Sequence, residues 1–151
     1  MTDVADYQAI KSACLYYLAR REHSQQELLT KVAEKGFVRS MIQEVVSELE
    51  ERGLQSNARF AESYARHRVQ RGFGPLHIGA ALQQRGAGGY DFDMAVEDIV
   101  GSWALLLEQV YTKKYTDKLA SLDSKERLKR SRFLQQRGFS GEMINQFFRQ
   151  L

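Results

Sequence analysis

Residues 57–86 read NARFAESYARHRVQRGFGPLHIGAALQQRG, and this stretch describes two helices joined by a tight corner. Phe60, Ala61, Tyr64 and Ala65 recur at i, i+1, i+4 and i+5, which places them on one apolar face of a first helix. Asn57 is the expected cap of that helix, its side-chain oxygen accepting from an amide of the first turn. Gly72-Phe73-Gly74 ends the helix. Pro75, the only proline of the chain, suits the first position of the next helix, where its missing N–H leaves nothing unmade. Gly86 closes the second helix.

The same unit stands on either side. A shift of 50 residues lays Phe60 on Ile10, Tyr64 on Cys14, Ile78 on Leu28, Leu82 on Val32 and Gly86 on Gly36. The stripe Phe92, Ala95, Val96 and Ile99 falls on Ile42, Val45, Val46 and Leu49. A shift of 52 carries Leu82 to Leu134 and Gly86 to Gly138, followed by Ile144, Phe147, Phe148 and Leu151. Residues 82–86 and 134–138 are both LQQRG, and each stripe opens six residues after its glycine. Apolar registers that agree three times at a period near fifty mark a tandem repeat. Three three-helix units are therefore expected, over residues 1–55, 56–101 and 102–151, with an all-α fold and an elongated form. Ser24 with Glu27, Ser40 with Gln43, and Asp123 with Glu126 have the spacing of capping boxes, and a longer loop is expected over 115–122.

Composition agrees with a folded helical chain: 151 residues, 43% hydrophobic and 27% charged. Cys14 stands alone, so no internal disulfide forms, and no apolar run reaches the length of a membrane span. A cytoplasmic location is expected. The net charge of +3 is unevenly spread. Residues 1–56 hold 7 bases and 9 acids, residues 57–90 hold 5 and 1, and residues 102–151 hold 10 and 5. Such a balance suits an anionic partner on the middle and last units.

No nucleophile elbow, phosphate loop, dinucleotide fingerprint or paired-cysteine site is present, and His23, His67 and His77 lack acids or thiols at metal-ligand spacing. An enzyme is not expected. Binding is. Lys125, Lys129, Arg132 and Gln136 share one helix face, as do Arg59, Ser63, Arg66 and Gln70. Cations with interspersed amides match phosphate oxygens and carboxylates, although a solvated polar face explains each stripe equally well. Arg68 occupies the core-like place of Leu18, either as a binding cation or as a side chain that snorkels past Tyr64. Arg71 matches Arg21, for which a structural role is equally open. Arg130 and Arg137 complete the set of partner- or phosphate-binding candidates. The units also resemble helix-turn-helix readers, but the helices near 41–52, 91–100 and 140–150 are acidic or apolar and suit base reading poorly.

His23-Ser24-Gln25-Gln26-Glu27-Leu28, Arg59-Phe60-Ala61, Gly72-Phe73-Gly74-Pro75, Arg132-Phe133-Leu134 and Arg137-Gly138-Phe139 resemble the RecX family, in order and over nearly the whole chain. Ser56 and Asn57 depart from its usual acidic pair, and Gly79 from a position that is often basic. The resemblance implies a bacterial cytoplasmic protein of tandem three-helix units that acts without a cofactor; a monomer is expected. It further implies binding to the recombinase RecA and its filament on single-stranded DNA, inhibiting recombinase, ATPase and coprotease activity in DNA repair and the SOS response. Motif matches support Arg59, Arg85, Arg132 and Arg137. The alternative is a direct, weak, salt-dependent contact with single- or double-stranded DNA.

Overall fold

The computed structural model describes residues 2–117 and 123–151, with side chains from Val4 onward; 118–122, in the loop expected over 115–122, lie outside the described residues. Among the described residues there are nine helices and no strand. They are α1 (Thr2–Arg20), α2 (Gln25–Ala33), α3 (Arg39–Glu51), α4 (Asn57–Gln70), α5 (Pro75–Gln84), α6 (Asp93–Ile99), α7 (Trp103–Lys114), α8 (Ser124–Gln136) and α9 (Gly141–Arg149). The chain divides into two compact units, Met1–Ser63 with Leu82–Tyr90, and Tyr64–Ala81 with Asp91–Leu151. Helices α4 and α5 each contribute residues to both.

In the first unit α1, α2 and α3 pack on one another around Ile10, Cys14, Leu28, Val32, Ile42, Val45, Val46 and Leu49, the residues the sequence stripes single out. Burial pushes the Cys14 thiol up to about 11, so it serves as a small apolar side chain and not as a nucleophile. Helix α2 begins with the expected reciprocal cap: Ser24 Oγ accepts from the Glu27 amide at 3.0 Å, and the Glu27 carboxylate accepts from the Ser24 amide at 3.2 Å.

Three expected caps differ. Helix α4 is capped by Ser56, whose hydroxyl accepts from the Arg59 amide at 3.1 Å. Asn57 is already helical, and its oxygen is taken by the Gln25 amide at 3.0 Å. Helix α3 starts before Ser40, from Val38, without a side-chain cap. At α8 only half of the box forms: Asp123 accepts from the Glu126 amide, while the Glu126 carboxylate accepts instead from Arg130.

Asn57 belongs to a polar joint. Gln55, only 1% exposed, donates to the His23 carbonyl and to Asn57, and accepts from the Gln25 side chain at 3.2 Å. The end of α5 docks here, the Gln84 carbonyl accepting from the Gln26 side chain at 2.8 Å and the Gly86 carbonyl from Asn57 at 3.4 Å. Carbonyls orphaned at a helix end are thus met by amide side chains.

The second unit contains a related joint made by backbone. The Gly74 amide donates to the Arg137 carbonyl at 2.6 Å, and the Leu76 amide to the Gly138 carbonyl at 2.9 Å. The start of α5 therefore satisfies the end of α8. The approach needs glycine twice. A Cβ on Gly74 would lie 2.6 Å from the Gly138 oxygen, and one on Gly138 (φ +100) 2.6 Å from the His77 nitrogen. Pro75 sits at the first helical position, as read from the sequence. Helix α7 packs against α6, α8 and α9, with Leu106, Leu107, Tyr111, Leu134, Ile144 and Phe148 buried. The stripes of the later copies end at the surface: Ile99 is 37% and Leu151 54% exposed, whereas Leu49 is fully buried.

Candidate functional site

The basic candidates sort by what holds them. Arg59 donates from Nε to the Glu22 carboxylate at 3.1 Å and from Nη2 to the Gly53 carbonyl at 2.8 Å. Arg66 is paired with Asp98. Arg68 is half-buried, and its Nε donates to the Tyr64 hydroxyl at 3.1 Å, with the guanidinium 5.2 Å from the Phe73 ring centre. It lies against Tyr64, the bland account of a cation at that core-like position.

Arg130 is not on a binding face. It is 4% exposed, and its three nitrogens donate to the Tyr111 hydroxyl at 2.7 Å, Asp117 at 2.9 Å and Glu126 at 3.0 Å. Its pKa rises, chiefly through the Asp117 hydrogen bond, and Asp117 is held below the usual carboxylate range by the same contact. Tyr115 lies 4.2 Å beneath the guanidinium. Its tyrosine neighbours and Asp117 lie in the preceding helix and loop, so helical spacing alone could not separate it from Lys129.

Lys125, Lys129 and Arg132 lie exposed on α8, without an ion-pair partner among the described residues. The face expected from their spacing is formed as read.

A second feature escapes the sequence. A groove of about 970 Å³ opens between the end of α4, the end of α6, the length of α7 and the last turns of α8. Val69, Ile99, Val100, Leu106 and Val110 make it apolar, and Arg71, Lys113, Lys114 and Arg137 make it basic; among the described residues no carboxylate lines it. Two phenylalanines carry the cations. Lys114 sits 4.0 Å from the Phe133 centroid, and Arg137 is 5.1 Å from Phe73 and 5.6 Å from Phe133. His77 stacks on Phe73 at 4.2 Å. Arg137 is also fixed by donation to the Arg71 carbonyl at 2.9 Å. A ring attracts a cation through its quadrupole but leaves the charge uncompensated. Arg71 and Arg137 were expected as candidates; Lys113 and Lys114 were missed, the only local signal being a cationic pair in the last turn of α7.

Among the described residues no group of acids, histidines and cysteines could hold a metal, and no helix is long and apolar enough to cross a membrane.

Three family models match the chain in succession: the RecX first three-helix domain over residues 11–49, the second over 56–95 and the third over 106–148. The chain belongs to the RecX family. A relative from Pseudomonas fluorescens (strain SBW25), named Regulatory protein RecX, is 39% identical over 137 residues, covering 91% of this chain and 88% of the relative. One of the same name from Halorhodospira halophila is 36% identical, covering 91% and 84%. The crystal structure of a regulatory protein RecX superposes with a TM-score of 0.79 at 20% identity, over 97% of this chain and 73% of that one. RecX from Lactobacillus salivarius gives 0.70 at 22% identity, over 98% and 97%. The all-helical fold of three RecX three-helix domains in tandem is thus the one read from the repeats.

Proposed function

We propose that this protein regulates the recombinase RecA, binding RecA and its filament on single-stranded DNA and inhibiting strand exchange, ATPase and coprotease activity. The observation that carries the reading is the match of three RecX domains in order along the chain, to relatives named regulatory proteins. The physical support is the α8 face, where Lys125, Lys129 and Arg132 present charge that no described acid neutralises. Such groups form charge-assisted bonds to carboxylate or phosphate oxygens of a partner. Arg59 and Arg66 contribute exposed guanidinium groups whose ion pairs are open to competition.

A pull-down with RecA alone, DNA alone and RecA preassembled on DNA tests the reading; retention on the preassembled filament is expected. The triple variant Lys125→Glu/Lys129→Glu/Arg132→Glu should keep helicity and melting while losing most inhibition of the RecA ATPase. A folded triple variant that inhibits like the wild type removes the α8 face from the account.

The same three unneutralised cations support direct DNA contact as a second reading. It requires DNA affinity to fall steeply with salt as counterions are released, with slight sequence preference. Salt-insensitive binding would sink it.

A further inference from the structure

The groove on α7 combines an apolar floor with four cations and, among the described residues, no acid. A purely polar anion would satisfy the cations but leave Ile99, Val100 and Val110, the apolar lining residues that are not buried in the core, facing water. Single-stranded nucleic acid could satisfy both through base stacking, yet stacking needs an open aromatic face. Neither ring offers one. His77 stacks on Phe73 beside Arg137, and Lys114 sits over Phe133. A lipid headgroup would bring its phosphate but requires a flat surface, whereas this site is recessed among four helices.

We infer that the groove is a docking site for an acidic amphipathic peptide segment of a partner protein. Its apolar side chains lie on Ile99, Val100 and Val110, and its carboxylates meet Arg71, Lys113 and Lys114 at the rim. The helix-in-groove mode uses this division, apolar anchors at i, i+3, i+4 and i+7 with charge on the flanks. Arg137, held by the Arg71 carbonyl and two rings, keeps N–H donors in a fixed direction for a bidentate carboxylate contact. The inference rests on the reading that this protein acts on a protein partner, but on no particular partner.

The test uses the full chain and a fluorescent peptide of about twelve residues, with leucines at i, i+3, i+4 and i+7 and glutamates between them. Controls are the same peptide with glutamine for glutamate and an oligothymidylate of similar length. The acidic peptide should bind and shift the methyl resonances of Leu106, Val110 and Ile99 while leaving those of Ile10 and Leu28 unmoved. Arg71→Glu/Lys113→Glu, at two exposed positions, should weaken it about tenfold or more, with unchanged circular dichroism. The glutamine peptide should bind more weakly than the glutamate one. The inference is overturned if the acidic peptide fails to bind, if it binds the double variant as well as the wild type, or if the oligothymidylate shifts those methyls instead. A negative peptide result with intact RecA inhibition removes only the groove; a positive one without filament binding removes only the RecA reading.

Discussion

The two compact units use positive charge in different ways. In the first, cations meet carboxylates: Arg21 with Glu27 at 3.0 Å, Arg59 with Glu22 at 3.1 Å and Lys11 with Glu48 at 3.4 Å. At these three the charge is cancelled where it arises and cross-links helices and loops, while Arg20 and Lys31 lie over the rings of Tyr16 and Tyr17. In the second, Lys114 and Arg137 lie on phenylalanine rings, while Arg71, Lys113, Lys125, Lys129 and Arg132 extend without a described acid. A cation on a ring is positioned without being neutralised. Charge can therefore serve the fold or serve a partner, and the type of neighbour decides which.

Arg66 also meets a carboxylate in the second unit, that of Asp98, but Arg130 is buried among oxygens and gives the largest expected effect. Arg130→Met should cost about 2–4 kcal/mol in urea unfolding, since the Tyr111 hydroxyl and the buried end of the Glu126 contact lose a charged donor. A cost near zero would mean that the contact positions nothing, and the contrast between paired and unpaired cations would lose its clearest case.

Gly36 and Gly138 share a positive φ, but a Cβ on Gly36 meets nothing within 4 Å. Gly36→Ala should cost about 1–2 kcal/mol for the backbone conformation alone. Gly138→Ala should cost clearly more, because the His77 backbone must also move. Equal losses in paired melting curves would show the α5–α8 joint to be soft.

Smaller effects separate the charges directly. Arg59→Glu sets two carboxylates opposite each other and should lose about 0.5–1 kcal/mol, whereas Lys113→Glu should leave thermal stability unchanged. The reverse order would undo the comparison.

The smallest effect is a slope with pH. His23 is buried, which lowers its pKa below 6.5; its Nδ1 faces the Arg21 carbonyl and its Nε2 the Lys31 ammonium. A depressed imidazole stabilises fully above its ordinary value, and that stability is lost as pH falls through the lower native one. His23→Gln should flatten the stability profile as pH falls below about 6.5. Burial of Glu27 opposes ionisation, but hydrogen bonds from Arg21 and the Ser24 amide outweigh it, so its contribution is lost only in more acidic solution, below 4.5.

Most of the architecture was legible because it is local. Glycine corners, Pro75, the Ser24 cap and three apolar stripes each sit within a few residues of what they determine. The caps at Asn57 and Ser40 were misplaced because Ser56 and Val38 compete one or two residues away, and Asn57 is claimed by Gln25 across the unit. The α8 face was readable from its spacing. The ion pairs of Arg59 and Arg66, the burial of Arg130 and the groove were not, since each joins residues 13 to 66 positions apart with no shared periodicity.

The joint between α5 and α8 has a consequence for descent. Its hydrogen bonds run between main-chain atoms, and only Gly74 and Gly138 are sterically required at the contact. Every other side chain around it can drift without breaking the connection. The joint at Gln26 and Asn57 instead spends two amide side chains and should diverge more slowly. A fold held this way can outlast its own sequence.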